Sequence, residues 1–134
     1  MWFSKPQSGV THQKALILLV DDDIQIIAML RSNLEAEGYR VEFATDGLTG
    51  KQMAWDLKPD LIISDIFMPG VDGLAMMESI KARPEMAAIP IIFLSGDAQG
   101  NILPEIIGSS PRYALMKKPI FLPELNQLVR RFLS

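Results

Sequence analysis

Apolar residues in this chain come in short unbroken runs, and between the runs they recur at helical spacing. Ala15-Leu-Ile-Leu-Leu-Val20 is continuously apolar, the pattern of a strand buried on both faces. Asp23 is placed to cap the helix that follows, in which Ile27, Leu30 and Leu34 share a face and which Gly38 ends. Tyr39 to Ala44 reads as a second strand, and Asp46 caps a helix running to about Leu57, where Pro59 breaks the pattern. Leu61 to Ser64 is a third strand. Asp72 or Gly73 opens a helix to about Arg83 with Leu74, Met77 and Ile80 facing inward, and Ile89 to Leu94 is a fourth strand of the fully buried kind. Gly100, Pro104, Gly108 and Pro111 crowd the stretch where a fourth helix belongs; with Asn101 as its cap, Pro104 would fall in the first turn of a short or displaced helix. Tyr113 to Met116 is a fifth strand. Phe121 to Leu133 is a last amphipathic helix with Leu125, Leu128 and Phe132 in step, and Pro123 is acceptable in its first turn.

Strands alternating with helices predict an α/β fold, a parallel sheet covered by helices on both faces. Residues 15–134 form one domain of that kind. Residues 1–14, with Pro6, Gly9 and mostly polar side chains, read as a flexible lead; Trp2 and Phe3 could dock, though loose termini are the commoner case, and the lone His12 is read as neither a ligand nor a phosphorelay histidine.

Composition narrows the function. A net charge of −3 and the absence of a basic run with interleaved aromatics argue against a nucleic-acid surface. No cysteine is present, so metal chemistry here uses oxygen ligands, and the expected compartment is a reducing cytoplasm. The longest apolar run is too short to span a bilayer, so no membrane association is expected.

The chemistry lies in aspartates. Asp21-Asp22-Asp23 follows the carboxyl end of the first strand, and Asp65 sits at the carboxyl end of the third. In a doubly wound sheet, ligands bind beyond the carboxyl ends of strands at the switch point. In the common flavodoxin-like order 2-1-3-4-5, strands 1 and 3 are neighbours there, which brings Asp21, Asp22 and Asp65 together. Converging carboxylates repel, and at least one pKa should rise unless a cation joins them. Mg²⁺ suits such a site, because it takes oxygen ligands and favours completion by a phosphate. Asp23 is better read as a helix cap alone.

Four blocks then carry a family resemblance. Leu19-Val-Asp-Asp22, Ile63-Ser-Asp-Ile-Phe-Met-Pro-Gly-Val-Asp-Gly73, Leu94-Ser-Gly96 and Lys117-Lys-Pro119 are similar to the signature blocks of response-regulator receiver domains, in order and at close to the right separations. The resemblance covers about residues 15 to 134. It implies a single-domain, chemotaxis-type receiver of two-component signalling with a (βα)5 flavodoxin-like fold. Asp65 would accept the phosphoryl group, Asp22 would ligate Mg²⁺ directly, Asp21 would act mainly through a water, and the Phe67 carbonyl would be a further ligand. Ser95 would bind a phosphoryl oxygen, and Lys118, before a proline that is usually cis in this family, would pair with the phosphate. The donor would be a sensor histidine kinase or a histidine phosphotransfer protein. Self-association would use the face formed by the helix expected around Asn101 and Pro104, the fifth strand and the last helix, and the chain would be no enzyme beyond its own phosphorylation and dephosphorylation. Two lysines compete for one role; strand alternation sends Lys117 to the surface if Lys118 enters the pocket.

The sequence also departs from the family. The usual aromatic three residues before the lysine is Leu115, with Tyr113 on the same strand face as a substitute switch residue, or no aromatic switch at all. Gly108-Ser-Ser-Pro-Arg112 replaces a shorter turn. These departures keep open a phosphorylation-independent binding module. An aspartate-nucleophile phosphohydrolase would want an acid where Phe67 stands, and a flavin domain would want a phosphate loop where the aspartates stand.

Overall fold

The structure, a computed structural model, describes residues 14–96 and 108–134. Its strands are β1 (Leu16–Val20), β2 (Arg40–Ala44), β3 (Leu61–Asp65), β4 (Ile91–Ser95) and β5 (Tyr113–Lys117). They form one parallel sheet in the order 2-1-3-4-5. Among the described residues the α-helices are α1 (Ile24–Ala36), α2 (Gly47–Leu57), α3 (Gly73–Lys81) and α4 (Leu122–Leu133). The fourth helix expected around Asn101 and Pro104 lies outside the described residues, as do Trp2, Phe3 and His12.

Every residue of β1, β3 and β4 is buried, which is why their sequences are continuous rather than alternating. The edge strand β2 instead alternates, with Arg40 and Glu42 exposed and Val41 and Ala44 buried. Charged side chains at an edge discourage pairing with another sheet. Two apolar layers enclose the sheet. One gathers Val20, Ile62, Ile66 and Phe93 against Ala54 of α2 and Met76, Met77 and Ile80 of α3. The other gathers Leu19, Ile63 and Leu94 against Leu30 and Leu34 of α1 and Leu125 and Val129 of α4.

The helix starts follow the expected chemistry. Asp23, Asp46 and Asp72 each accept backbone N–H bonds from the first turns of α1, α2 and α3. Gly38, with φ of 99°, takes the left-handed conformation that closes α1. Two inner faces differ from expectation. In α3 Met76 is buried alongside Met77 and Ile80 while Leu74 is half-buried, and in α4 Val129 joins Leu125 in the core while Leu128 and Phe132 pack at its margin. A helix that covers a flat sheet buries a stripe wider than one row. α3 also ends at Lys81 rather than Arg83, because the residue before Pro84 is pushed to extended geometry, φ −90° and ψ 123° at Arg83.

Candidate functional site

The register of the sheet decides which side chains meet. Val20 is paired with Ser64, so Asp21, the next residue, emerges beside Asp65. Asp65 is paired with Leu94, and Ser95 with Lys117, so Ser95 and Lys118 leave the sheet at the same edge. Carboxylate oxygens of Asp21, Asp22 and Asp65 all lie within 4.8 Å of one another. Asp21 and Asp65 are buried and Asp22 is exposed, so the cluster opens to solvent on the Asp22 side.

Lys118 enters this pocket. Its Nζ is 3.0 Å from Asp21 Oδ2 and 3.4 Å from Asp65 Oδ2. Lys117, one residue earlier, is exposed, as strand alternation requires. Among the described residues Lys118 is the one cation against the buried Asp21 Oδ2, which it meets as an ion pair. Asp21 Oδ1 accepts the Asp23 N–H at 2.8 Å. Burial raises the pKa of Asp65, the negative charge of Asp21 raises it further, and Lys118 acts in the opposite direction. The repulsion expected among the aspartates is therefore present, with burial as the larger cause. Burial also works against the Lys118 ammonium, but the closeness of Asp21 and Asp65 outweighs it and its pKa is raised.

Backbone contacts hold these groups in place. The Lys118 N–H donates to the Ser95 carbonyl at 2.8 Å, and the Lys118–Pro119 peptide is cis. Ser95 is buried, and a Cβ built on Gly96 would stand 3.7 Å from Lys118 Cδ, in ordinary van der Waals contact with the lysine stem. The Ser64 hydroxyl donates to the Asp65 carbonyl at 2.8 Å, and the Gly73 N–H donates to the Ile66 carbonyl at 2.8 Å, tying off the loop that carries Phe67. The Phe67 side chain is exposed.

Tyr113 and Leu115 do share a face, both packed on the α2–α3 side. Tyr113 lies at the opposite end of β5 from Lys118. It is held edge-on to Phe93 with centroids 6.0 Å apart, its hydroxyl reaches Met77 Sδ at 3.5 Å, and Lys81 Nζ lies 5.6 Å from its ring centroid. Nothing in the sequence pattern singled out Lys81, Gly47 or Ser64, whose roles come from contacts distant in the chain.

Comparisons with known proteins agree with this geometry. A sequence model described as the response regulator receiver domain matches residues 17–130. The chain is 36% identical over 118 residues to the DNA-binding dual master transcriptional regulator RpaA of Synechocystis sp., covering 87% of this chain and 48% of that protein. It is 33% identical over 118 residues to the phosphate regulon transcriptional regulatory protein PhoB of Rhizobium meliloti, covering 87% and 51%. The chain thus spans about half the length of such curated relatives. Among solved structures it resembles the chemotaxis protein CheY4 of Vibrio cholerae, with a TM-score of 0.81, 27% identity, and 90% of this chain and 99% of that one covered. It also resembles the signal receiver domain of a signal transduction histidine kinase from Syntrophus aciditrophicus, with a TM-score of 0.75, 31% identity and 90% of each chain covered. The aspartate cluster facing a lysine at the carboxyl edge of a 2-1-3-4-5 sheet, together with these likenesses, establishes that this chain belongs to the response regulator receiver domain family.

Proposed function

We infer that Asp65 accepts a phosphoryl group from a phosphohistidine on a histidine kinase or phosphotransfer protein, in a reaction that requires a divalent cation. The observation that carries this reading is the meeting of Asp21, Asp22 and Asp65 within 4.8 Å with Lys118 against them. An Asp65 oxygen would attack phosphorus as the bond from phosphorus to the donor nitrogen breaks, and that nitrogen keeps the electron pair. Lys118 neutralises charge on the transferring group, and the Ser95 hydroxyl supplies a directed donor to it. The donor set is all oxygen, with three carboxylates against a single lysine, which fits a hard cation such as Mg²⁺. Asp22, Asp65 and the Phe67 carbonyl would hold the ion, with Asp21 acting through water. Mg²⁺ when bound supplies positive charge at the phosphoryl oxygens.

On this reading the chain catalyses only its own phosphorylation and dephosphorylation and relays the change to a protein partner. Among the described residues no helix is long and apolar enough to cross a membrane. Together with the absence of cysteine, this supports a cytoplasmic setting. Incubation with Mg²⁺ and a small acyl phosphate should add one phosphoryl group to the intact mass of the wild type and none to Asp65→Asn. Equal labelling of the two would remove Asp65 as the acceptor, and no labelling of either would favour a binding module.

A further inference from the structure

The loop from Ile66 to Asp72, which follows the acceptor and carries Phe67, is gripped from outside the site by a helix with no side chain in it. A Cβ built on Gly47, the first residue of α2, would fall 2.2 Å from the Val71 carbonyl oxygen and 3.0 Å from both Val71 C and Val71 Cβ. Real Cβ atoms do not approach backbone oxygens that closely, so only glycine permits this contact. The helix has nowhere to retreat. Asp46 caps its first turn through the Thr49 N–H at 2.7 Å. One turn on, a Cβ on Gly50 would stand 2.9 Å from both Met76 Sδ and Val20 Cγ2. α2 is therefore seated on β1 and α3 at van der Waals contact, and any added bulk at position 47 must displace Val71.

The loop cannot absorb that displacement locally. At its far end a Cβ on Gly73 would lie 2.3 Å from the Asp65 carbonyl oxygen, and the Gly73 N–H is bonded to Ile66. With both ends pinned, a push on Val71 is passed to the residues between, including Phe67. We propose that Gly47 is a positioning residue for the cation site, fixing the loop after Asp65 through backbone contact with Val71. The proposal rests on the metal reading given above.

Mg²⁺ titrations by calorimetry on the full chain, paired with hydrogen exchange of the metal-free protein, test it. Gly47→Ala should weaken Mg²⁺ binding by about tenfold, the size seen when a group supporting a ligand is lost. It should also speed exchange of the Gly73 amide. Val71→Gly removes only the Cβ part of this contact, 3.0 Å from where a Gly47 Cβ would stand, leaves the carbonyl part in place, and should do both to a smaller degree. Ala54→Val overpacks the core two turns further along α2, where Ala54 is fully buried, and should lower stability while leaving affinity and loop exchange unchanged. If the wild type binds Mg²⁺ and Gly47→Ala and Val71→Gly bind it as tightly, the proposal is overturned. An affinity loss in Ala54→Val equal to theirs overturns it too, since general destabilisation would then suffice. Failure of the wild type to bind Mg²⁺ overturns the metal reading and the assignment of Gly47 to a cation site with it. Exchange at Gly73 then separates a loop that Gly47 still fixes from one it does not.

Discussion

Asp65 is buried beside another carboxylate, and its pKa is raised by burial first and by Asp21 second. In the pH range between its ordinary value and the raised one, the unfolded chain has lost a proton that the folded chain keeps. Stability therefore falls as pH rises through that window, and above the raised value the whole cost is present. Asp65→Asn removes the charge while keeping the shape. In metal-free buffer at pH 7 the variant should melt about 2–5 °C higher than the wild type. Added Mg²⁺ should raise the wild-type midpoint by mass action and move the variant less. Scanning calorimetry with and without metal checks both; a lower midpoint for the metal-free variant would mean that the Lys118 contact outweighs burial. At this scale most of the site was legible in the sequence, because aspartates directly after buried apolar runs have one place to go. The choice of Lys118 over Lys117 came from the family resemblance, in which the lysine directly before the proline pairs with the phosphate; alternation then sent Lys117 to the other face. What sequence could not convey was that Lys118 lies against Asp21 as well as Asp65, since that distance depends on how three strands stagger.

Strands and caps were equally legible, and for a physical reason: β1, β3 and β4 are buried on both faces, and Asp23, Asp46 and Asp72 are local caps. Contacts between elements were not. Met76 and Val129 sit beside the expected helix faces, and the seat of α2 on Val71 is made by a missing side chain. The end of α3 hides another such contact. Lys81 Nζ donates to the carbonyl of Ala87 at 3.0 Å and to that of Ile89, linking α3 to the segment that leads into β4, and it faces the Tyr113 ring. Burial, and then the charge of Arg112, lower its pKa from 10.5 to about 8. The sign is opposite to that of a favourable ion pair. Between about 8 and the ordinary lysine value the unfolded chain holds a proton that the folded chain has released, so stability should rise with pH across that window. Lys81→Met keeps the stem and removes the titration. Urea midpoints measured from about pH 7.5 to about pH 10 should slope upward less in the variant than in the wild type. Parallel slopes would mean that Lys81 keeps an ordinary affinity for its proton.

At the scale of the whole molecule, the four most exposed large apolar side chains among the described residues share one end, while Met29 and Leu57, less exposed, lie further along their helices. Ile24, Leu48, Phe67 and Phe121 are 54–65% exposed, and each follows the carboxyl end of a strand, the side of the sheet on which the aspartates lie. Apolar anchors around a charged centre suit docking by a protein rather than by a small molecule. Phe121→Ser and Ile24→Ser should therefore slow labelling from a phosphohistidine protein about tenfold or more while leaving labelling from a small acyl phosphate within about twofold. Equal slowing by both donors would place these residues in the chemistry instead. The strand order has a separate consequence, for the way the chain is made. β1 pairs with both β2 and β3, so a chain emerging from the ribosome amino end first can assemble these three strands before β4 exists. All three clustered aspartates belong to that early half, whereas Lys118 follows the last strand. On that order of assembly the three carboxylates would meet before Lys118 is made, and a cation from the solvent would be the counter-charge within reach.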